Sequence, residues 1–234
     1  AVPAVGDPVP EEAPEMDIAD LFEPALHAGR EAREGAAQVR GIDSAAIDGL
    51  GIPGYELMSR AGRAIVEMAL ERFSQARRWL VLCGPGNNGG DGYVVARLAA
   101  AHGINVSVLA LVDPTKLSGD AATAYGDFAA EGGIVLPWEG QLDPEAALLV
   151  DGILGSGLER EVGGEFARAV DAINRHPARV LALDIPTGIH GDSGAVLGCA
   201  VRADLTVTFV GLKTGLFLGE APDYRGALEF ADLA

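Results

Sequence analysis

The sequence predicts an α/β protein whose central sheet is mostly parallel and covered by helices on both faces. Short apolar runs alternate with helical patterns along most of the chain, as in repeated β-α units. The runs are apolar throughout, which is typical of strands that are buried on both faces. A glycine-dense turn at residues 83–92 joins the apolar run 79–82 to a helical pattern that begins near Gly92.

The first part of the chain differs from the rest. Residues 1–15 carry four prolines among acidic residues, which predicts an extended arm that is either a docking segment or a remnant of processing. Residues 16–28 have the spacing of a short helix that Pro24 interrupts. From Gln38 the spacing predicts two amphipathic helices. We therefore divide the chain into an acidic, proline-rich arm, 1–37, and a domain, 38–234.

The rest of the domain alternates strand and helix. Helices are predicted after the glycine-dense turn, at residues 119–131 and at residues 165–174. Strands are predicted at residues 79–82, 104–111, 134–136, 148–150, 180–183 and 205–210, with an edge strand at 227–231.

Composition excludes several classes of partner and location. With 234 residues, 49% of them hydrophobic, the chain can bury a full core. A formal charge of −17 argues against nucleic acid and anionic membranes, because phosphate contacts require clustered Lys and Arg. We expect neither a membrane span nor a secretory signal, since no apolar run is long enough and the first residues lack a basic segment. Cys83 and Cys199 are expected to be reduced thiols, which predicts a cytoplasmic protein.

The glycine-dense turn has the chemistry of a phosphate cradle. Its five glycines let the backbone take positive φ and come close to a ligand without a Cβ in the way. Asn87, Asn88 and Asp91 are expected to cap the following helix, whose free N–H groups favour an anion. The spacing is neither that of the dinucleotide fingerprint nor that of a Walker loop. A tight turn that binds nothing is the alternative.

Polar residues follow three of the predicted strands. Asn88 follows the first, Asp151 the second, and Asp184 and Thr187 the third. Because the carboxyl ends of parallel strands meet at one edge of a sheet, we expect these four side chains to share one pocket. Their oxygens are the ligands that hard cations select, so the chemistry alone predicts a monovalent cation or magnesium. Taken singly, each aspartate also fits a helix cap, and Thr187 fits a bond within its own turn.

Three motifs resemble those of the NAD(P)H-hydrate epimerase family, the YjeF N-terminal domain. They are GPGNNGGDG at residues 84–92, VDGILGSGL at 150–158 and ALDIPTG at 182–188. Supporting similarities lie at residues 51–54, 57–58, 60–62, 203–209 and 213–216. The resemblance covers residues 38–233 in order and without large gaps.

The resemblance implies a Rossmann-like three-layer αβα sandwich with a mostly parallel central sheet. It implies an isomerase for nicotinamide cofactor repair, which interconverts the R and S epimers of hydrated NADH and NADPH at C6 of the dihydropyridine ring. It also implies a potassium ion bound by Asn88, Asp151 and Thr187. The family usually has serine in place of Thr187, whose methyl group would crowd the ion. Substrate contacts are implied for Asn87, Asn88, Gly89, Gly90, Asp91, Gly155, Ser156, Gly157, Leu158, Glu159, Arg160, Glu161 and Asp184.

This chemistry requires an acid/base near C6, because the hydroxyl leaves with help from the ring nitrogen and water returns to the other face. Asp184 is the candidate, since a carboxylate partly removed from water at a strand end can exchange a proton near neutral pH. Asp151 is better suited to the ion, because a cation beside it favours the charged carboxylate.

Several alternatives stay open. A non-catalytic scaffold module of the same fold would bind a nucleotide or a protein, and another phosphorylated small molecule would also fit the glycine-dense turn. Relatives in many bacteria are fused to an ADP- or ATP-dependent dehydratase, so the chain is either free-standing or part of a bifunctional enzyme. Relatives often pair through N-terminal helices, which makes a homodimer compatible with the resemblance. The choice between hydrated NADH and NADPH also stays open, because no basic cluster identifies a 2′-phosphate.

Overall fold

The computed structural model describes residues 33–34, 53–231 and 233, and it confirms the predicted α/β class. The helix predicted from Gln38 and the proline-rich part of the arm lie outside the described residues. The helices are α1 (Gly54–Arg72), α2 (Asn87–Ala101), α3 (Gly119–Ala130) and α4 (Gly164–Arg175). The strands are β1 (Arg33–Glu34), β2 (Arg78–Cys83), β3 (Asn105–Ala110), β4 (Ile134–Pro137), β5 (Leu148–Gly152), β6 (Arg179–Leu183), β7 (Leu205–Phe209), β8 (Leu212–Lys213) and β9 (Ala227–Ala231).

Seven strands form one sheet in the order β4-β3-β2-β5-β6-β7-β9, and every neighbouring pair is parallel. The predicted edge strand is confirmed as β9. From β2 the chain moves outward to β3 and β4 and then returns to place β5 on the other side of β2. The strand order therefore reverses between β2 and β5, which is the position where open α/β sheets bind ligands.

Both faces of the sheet are buried, as the continuous apolar runs predict. In β2, Trp79, Val81 and Cys83 belong to the core that α1, α2 and α3 cover. Leu80 and Leu82 belong to the core on the opposite face, where α4 packs. Because alternate residues of a strand point to opposite faces, a run without polar positions is required here.

Helix α2 begins earlier than the sequence predicts. It begins at Asn87 rather than near Gly92, and its N-cap is Gly86. Asn87, Asn88 and Asp91 are therefore part of the helix, and no side chain caps it. The N–H groups of the first turn consequently lie free of helical partners at the carboxyl end of β2.

The turn requires glycine at some positions because other backbone atoms come too close for a side chain, and not because of the backbone conformation of the glycines. None of the five takes the positive φ that glycine permits. A Cβ on Gly84 would lie 1.8 Å from the carbonyl oxygen of Ile153, and one on Gly89 would lie 2.2 Å from that of Gly84. The start of α2 can therefore pack against the loop that follows β5 only if these positions lack side chains.

Within residues 53–231, no helix combines the length and the apolar character that crossing a bilayer requires.

Candidate functional site

The loops after β2 and β5 enclose a crevice at the point where the strand order reverses. Its volume is about 510 Å³, which is in the range of small-molecule sites. One wall is formed by residues 85–88 and the other by residues 153–160. The N-terminus of α2 forms part of the first wall, so the positive end of its dipole lies at the crevice.

Asp151 and Thr187 are joined beneath this crevice. The Thr187 hydroxyl lies 2.7 Å from Asp151 Oδ1, and the backbone N–H of Thr187 donates to Oδ2 at 2.8 Å. The same hydroxyl accepts a hydrogen bond of 2.9 Å from the Leu154 N–H. Both side chains are fully buried. The ends of β5 and β6 are thus tied together by a carboxylate and a hydroxyl, as the sequence places them.

The side-chain amide of Asn88 is buried without a hydrogen-bond partner in the described part of the chain, at both Oδ1 and Nδ2. It lies against the loop after β5, since a Cβ on Gly155 would come within 3.3 Å of Asn88 Cγ. Buried polar groups are nearly always paired in native proteins. The unpaired amide oxygen, with the carboxylate and hydroxyl of the neighbouring loops, fits a cation that prefers oxygen ligands.

Burial raises the pKa of Asp151 to about 6, although the hydrogen bonds from Thr187 and Ile153 lower it. A carboxylate in this environment is costly to keep charged, and an adjacent cation would offset that cost. The raised pKa of Asp151 is therefore that of a buried carboxyl group whose charged form would be stabilised by a cation.

Asp184 directly follows β6 and has a different environment. It has φ of 66°, which a non-glycine residue rarely adopts, and it is 7% exposed. Its Oδ1 accepts hydrogen bonds from Lys213 Nζ and, at 3.3 Å, from the Thr208 hydroxyl. It makes no hydrogen bond to Asp151 or Thr187. The four residues predicted to share a pocket thus form two groups at one edge of the sheet.

Lys213 was not among the residues predicted for the site. It is 2% exposed, and its ammonium forms a buried ion pair with Asp184. The sequence does carry a signal, because Lys213 is the only charged residue between Asp204 and Glu220. A single lysine in an apolar segment is rarely buried without a partner.

The predicted substrate contacts occupy several places. Gly89 packs against Gly84, and Gly90 against Met58 and Ala121. Asp91 lines a separate cavity of about 130 Å³ beside α1, which Asn87 also lines. A Cβ on Gly198 would lie 3.4 Å from Glu161 Cβ, and Glu161 does not line the crevice. The predicted contacts that do line it are Asn87, Asn88, Gly155, Ser156, Gly157, Leu158, Glu159 and Arg160.

Known proteins resemble this chain over most of its length. The bifunctional NAD(P)H-hydrate repair enzyme Nnr of Escherichia coli K12 is 43% identical over 202 residues, which are 85% of this chain and 38% of that protein. The NAD(P)H-hydrate epimerase of Limosilactobacillus fermentum is 38% identical over 84% of this chain and 94% of its own length. The bifunctional NAD(P)H-hydrate repair enzyme Nnr of Coxiella burnetii is matched over 39% of its length. The chain therefore spans less than two fifths of the length of these two bifunctional relatives.

A solved structure has the same fold. The crystal structure of yeast ynu0, YNL200c, covers 81% of this chain and 85% of its own with a TM-score of 0.72 and 21% sequence identity. A family model described as YjeF-related protein N-terminus matches residues 54–215, which include the glycine-dense turn, Asp151, Asp184 and Lys213. Because this family model matches more than half of the chain and relatives at 38–43% identity match most of it, the chain belongs to the YjeF-related protein N-terminus family.

Proposed function

We propose that this chain is an NAD(P)H-hydrate epimerase, an isomerase that interconverts the R and S epimers of hydrated NADH and NADPH at C6. Relatives of the same family carry this activity in their names. The observation that carries the proposal is the pair of buried carboxylates, Asp151 and Asp184, at one sheet edge with different partners. Two carboxylates in contrasting environments can divide ion binding and proton transfer between them.

The crevice suits the anionic part of a dinucleotide. Free N–H groups of the first turn of α2 favour a phosphate, and no described atom lies within 4 Å of a Cβ built on the N-cap residue Gly86. Arg160, an exposed residue of the opposite wall, makes no ion pair with a described residue. We propose that these groups bind the pyrophosphate and thereby hold the hydrated ring toward the ends of β6 and β7.

Asp184 is proposed as the acid/base. The C6 hydroxyl leaves as water when it receives a proton while the ring nitrogen supplies electrons, and water then adds to the other face and returns a proton. The carboxyl group of Asp184, in its protonated form, would give this proton to the leaving hydroxyl, and the carboxylate so formed would take one back from the water that adds. Its burial limits competing solvent, and the surrounding hydrogen bonds hold it in one orientation.

Potassium is the ion we propose for Asn88, Asp151 and Thr187. The unpaired Asn88 amide and the paired carboxylate and hydroxyl beneath the crevice support this assignment. Such an ion supplies a positive charge that offsets the acidic field opposing an anionic substrate.

We also propose the biological setting that the family suggests. The domain would act with an ADP- or ATP-dependent dehydratase, fused or separate, which consumes the S epimer. The proposed assembly is a homodimer that pairs through N-terminal helices. The proposed location is the cytoplasm, which the two cysteines without a disulfide bond support.

The test is a chromatographic time course of R-to-S interconversion of hydrated NADPH, with potassium and with tetramethylammonium. We expect equilibration faster than the spontaneous rate in potassium and a much lower rate in the organic cation. An equal acceleration in both salts would reject the ion. No acceleration in either salt by folded protein would reject the epimerase and favour the scaffold module.

Asp184→Asn tests the acid/base. The amide keeps the size of the side chain but cannot exchange the proton, so we expect the rate to fall by about 10²–10⁴-fold. Asp171→Asn is the matched control, because it makes the same charge change at an exposed position of α4. Full activity of the Asp184 variant would exclude it as the acid/base.

A further inference from the structure

The buried ammonium of Lys213 is fully satisfied by groups at the ends of two neighbouring strands. Its Nζ donates to Asp184 Oδ1, to the Phe209 carbonyl oxygen at 2.8 Å and to Thr208 Oγ1 at 3.2 Å. A lysine has three N–H groups, so each has an acceptor. The chain tolerates this 2%-exposed charge only because every one of these bonds is made.

The two oxygens of Asp184 are used differently. Oδ1 takes both hydrogen bonds, from Lys213 and from the Thr208 hydroxyl. Oδ2 makes no hydrogen bond to any residue within 53–231. The Asp184 side chain is 10% exposed, whereas that of Lys213 is 2% exposed. The oxygen that remains for a ligand is therefore Oδ2, and the lysine lies behind the carboxylate.

The same ammonium joins two unusual turns. Asp184 and Val210 are the non-glycine residues with positive φ in the described part of the chain, at 66° and 65°. They follow β6 and β7, which pair directly. Lys213 bonds the side chain of the first and the carbonyl oxygen of Phe209, next to the second. Such conformations persist only where the surroundings hold them, and they concentrate at functional sites.

We propose that Lys213 is a positioning residue for Asp184: it fixes Oδ1 and so presents Oδ2 to the hydroxyl group at C6 of the hydrated ring. The inference rests on the acid/base role proposed for Asp184. Lys213 itself stays behind the carboxylate and does not contact the substrate. Its loss would leave Asp184 free to rotate away from the reacting carbon.

Four proteins test this: the chain itself, Lys213→Met, Asp184→Asn and the double variant. We expect Lys213→Met to lower kcat by about 10²-fold, because a small misplacement of a reacting group has this effect, while KM changes by less than about twofold. In the Asp184→Asn background the same substitution should change kcat by less than about twofold, since the positioned group is gone. Lys116→Met, at a side chain that is 81% exposed, is the control.

A merely structural role would give a different pattern. Lys213→Met would then lower activity equally in the unsubstituted chain and in the Asp184→Asn background, or would act mainly on KM, and either result overturns the inference. If Lys213→Met does not fold, Thr208→Val tests the inference instead, because it removes the second hydrogen-bond donor to Asp184 Oδ1 without a change of charge. We expect it to lower kcat by about fivefold at unchanged KM, and an unchanged kcat contradicts the inference.

Failure of the proposed function is distinguishable. An unsubstituted chain without epimerase activity rejects the function and the inference together. If Asp184→Asn lowers epimerase activity and Lys213→Met does not, the positioning role is rejected while the proposed function stands.

Discussion

Asn88 is energetically unfavourable where it lies unless something binds it. Its amide is 8% exposed and has no partner in the described structure, and a buried polar group left in this state costs about 1–3 kcal/mol. The neighbouring Asp151 has a pKa raised by burial to about 6. Both unfavourable features are relieved by one cation, so the local instability is itself an argument for the ion.

Asn88→Ala should remove the effect of potassium on stability. A ligand that binds only the native state raises the unfolding temperature, and the more so the further its concentration exceeds its Kd, so we expect that unsubstituted protein melts higher in potassium chloride than in tetramethylammonium chloride. The variant should melt at the same temperature in both salts, as measured by differential scanning calorimetry.

Asn105→Ala is the matched control, because Asn105 is exposed at the opposite edge of the sheet, where β3 begins. A variant at position 88 that keeps the potassium-dependent shift would contradict the assignment of Asn88 as a ligand.

The contact of Asp151 with Thr187 could be predicted from the sequence, whereas that of Asp184 with Lys213 could not. Asp151 lies at the carboxyl end of β5 and Thr187 shortly after β6, and adjacent parallel strands bring such positions together. Lys213 reaches Asp184 only through the fold of residues 205–213, which no local pattern describes. A buried ion pair depends on two side chains whose separation in the sequence carries no information about contact.

The turn between β2 and α2 is determined by close packing. Gly84 lies against Ile153 and Gly89 against Gly84, so the turn before α2 and the loop after β5 come into direct backbone contact. The predicted helix start is too late because asparagine and glycine have low helix propensity. Tertiary contact outweighed that propensity, as it commonly does when a helix end is fixed by its neighbours.

Gly84→Ala should destabilise the protein, and Gly86→Ala should not. The added Cβ at position 84 would lie 1.8 Å from the Ile153 carbonyl oxygen, whereas nothing lies within 4 Å of one at position 86. We expect a loss of about 1–3 kcal/mol for the first, as overpacked sites typically give. Chemical denaturation of both variants measures the difference.

Since Gly86 has an extended φ of −110°, alanine fits there without strain. Equal stabilities of the two variants would show that the walls of the crevice can separate at little cost.

The net charge of the protein opposes binding of the proposed substrate. The chain carries a formal charge of −17, and a dinucleotide is itself an anion. Long-range repulsion therefore disfavours binding, and only local groups at the crevice can overcome it. Arg160 is the basic residue among those lining the larger crevice.

Arg160→Gln should raise KM for hydrated NADPH by about fivefold at low ionic strength, as expected for an exposed ion pair of about 1 kcal/mol. The difference should shrink in about 0.5 M salt, because salt screens exposed charges. Initial rates at both ionic strengths measure it. Arg175→Gln, at the C-terminal end of α4, makes the same charge change away from the crevice, and an equal rise in its KM would assign the effect to net charge.

The fold class was readable from the sequence because burial on both sheet faces leaves continuous apolar strands. The strand order could not be predicted from the sequence. The apolar pattern of β5 is compatible with pairing to β4 and with pairing to β2, and the structure has the second arrangement. Only the structure locates the reversal between β2 and β5, and with it the walls of the crevice.

The reversal of strand order also affects how the chain folds. Strands β2 and β5 are adjacent in the sheet, yet α2, β3, α3 and β4 lie between them in the sequence. Pairing across so long a loop is slow, because closure entropy is lost before the contacts form. Local β-α units can assemble first, and the unit β5-α4-β6 can form the Asp151–Thr187 contact by itself, but the crevice does not exist until β5 has joined β2. Any kinetic intermediate that lacks this pairing is therefore expected to bind neither ion nor dinucleotide.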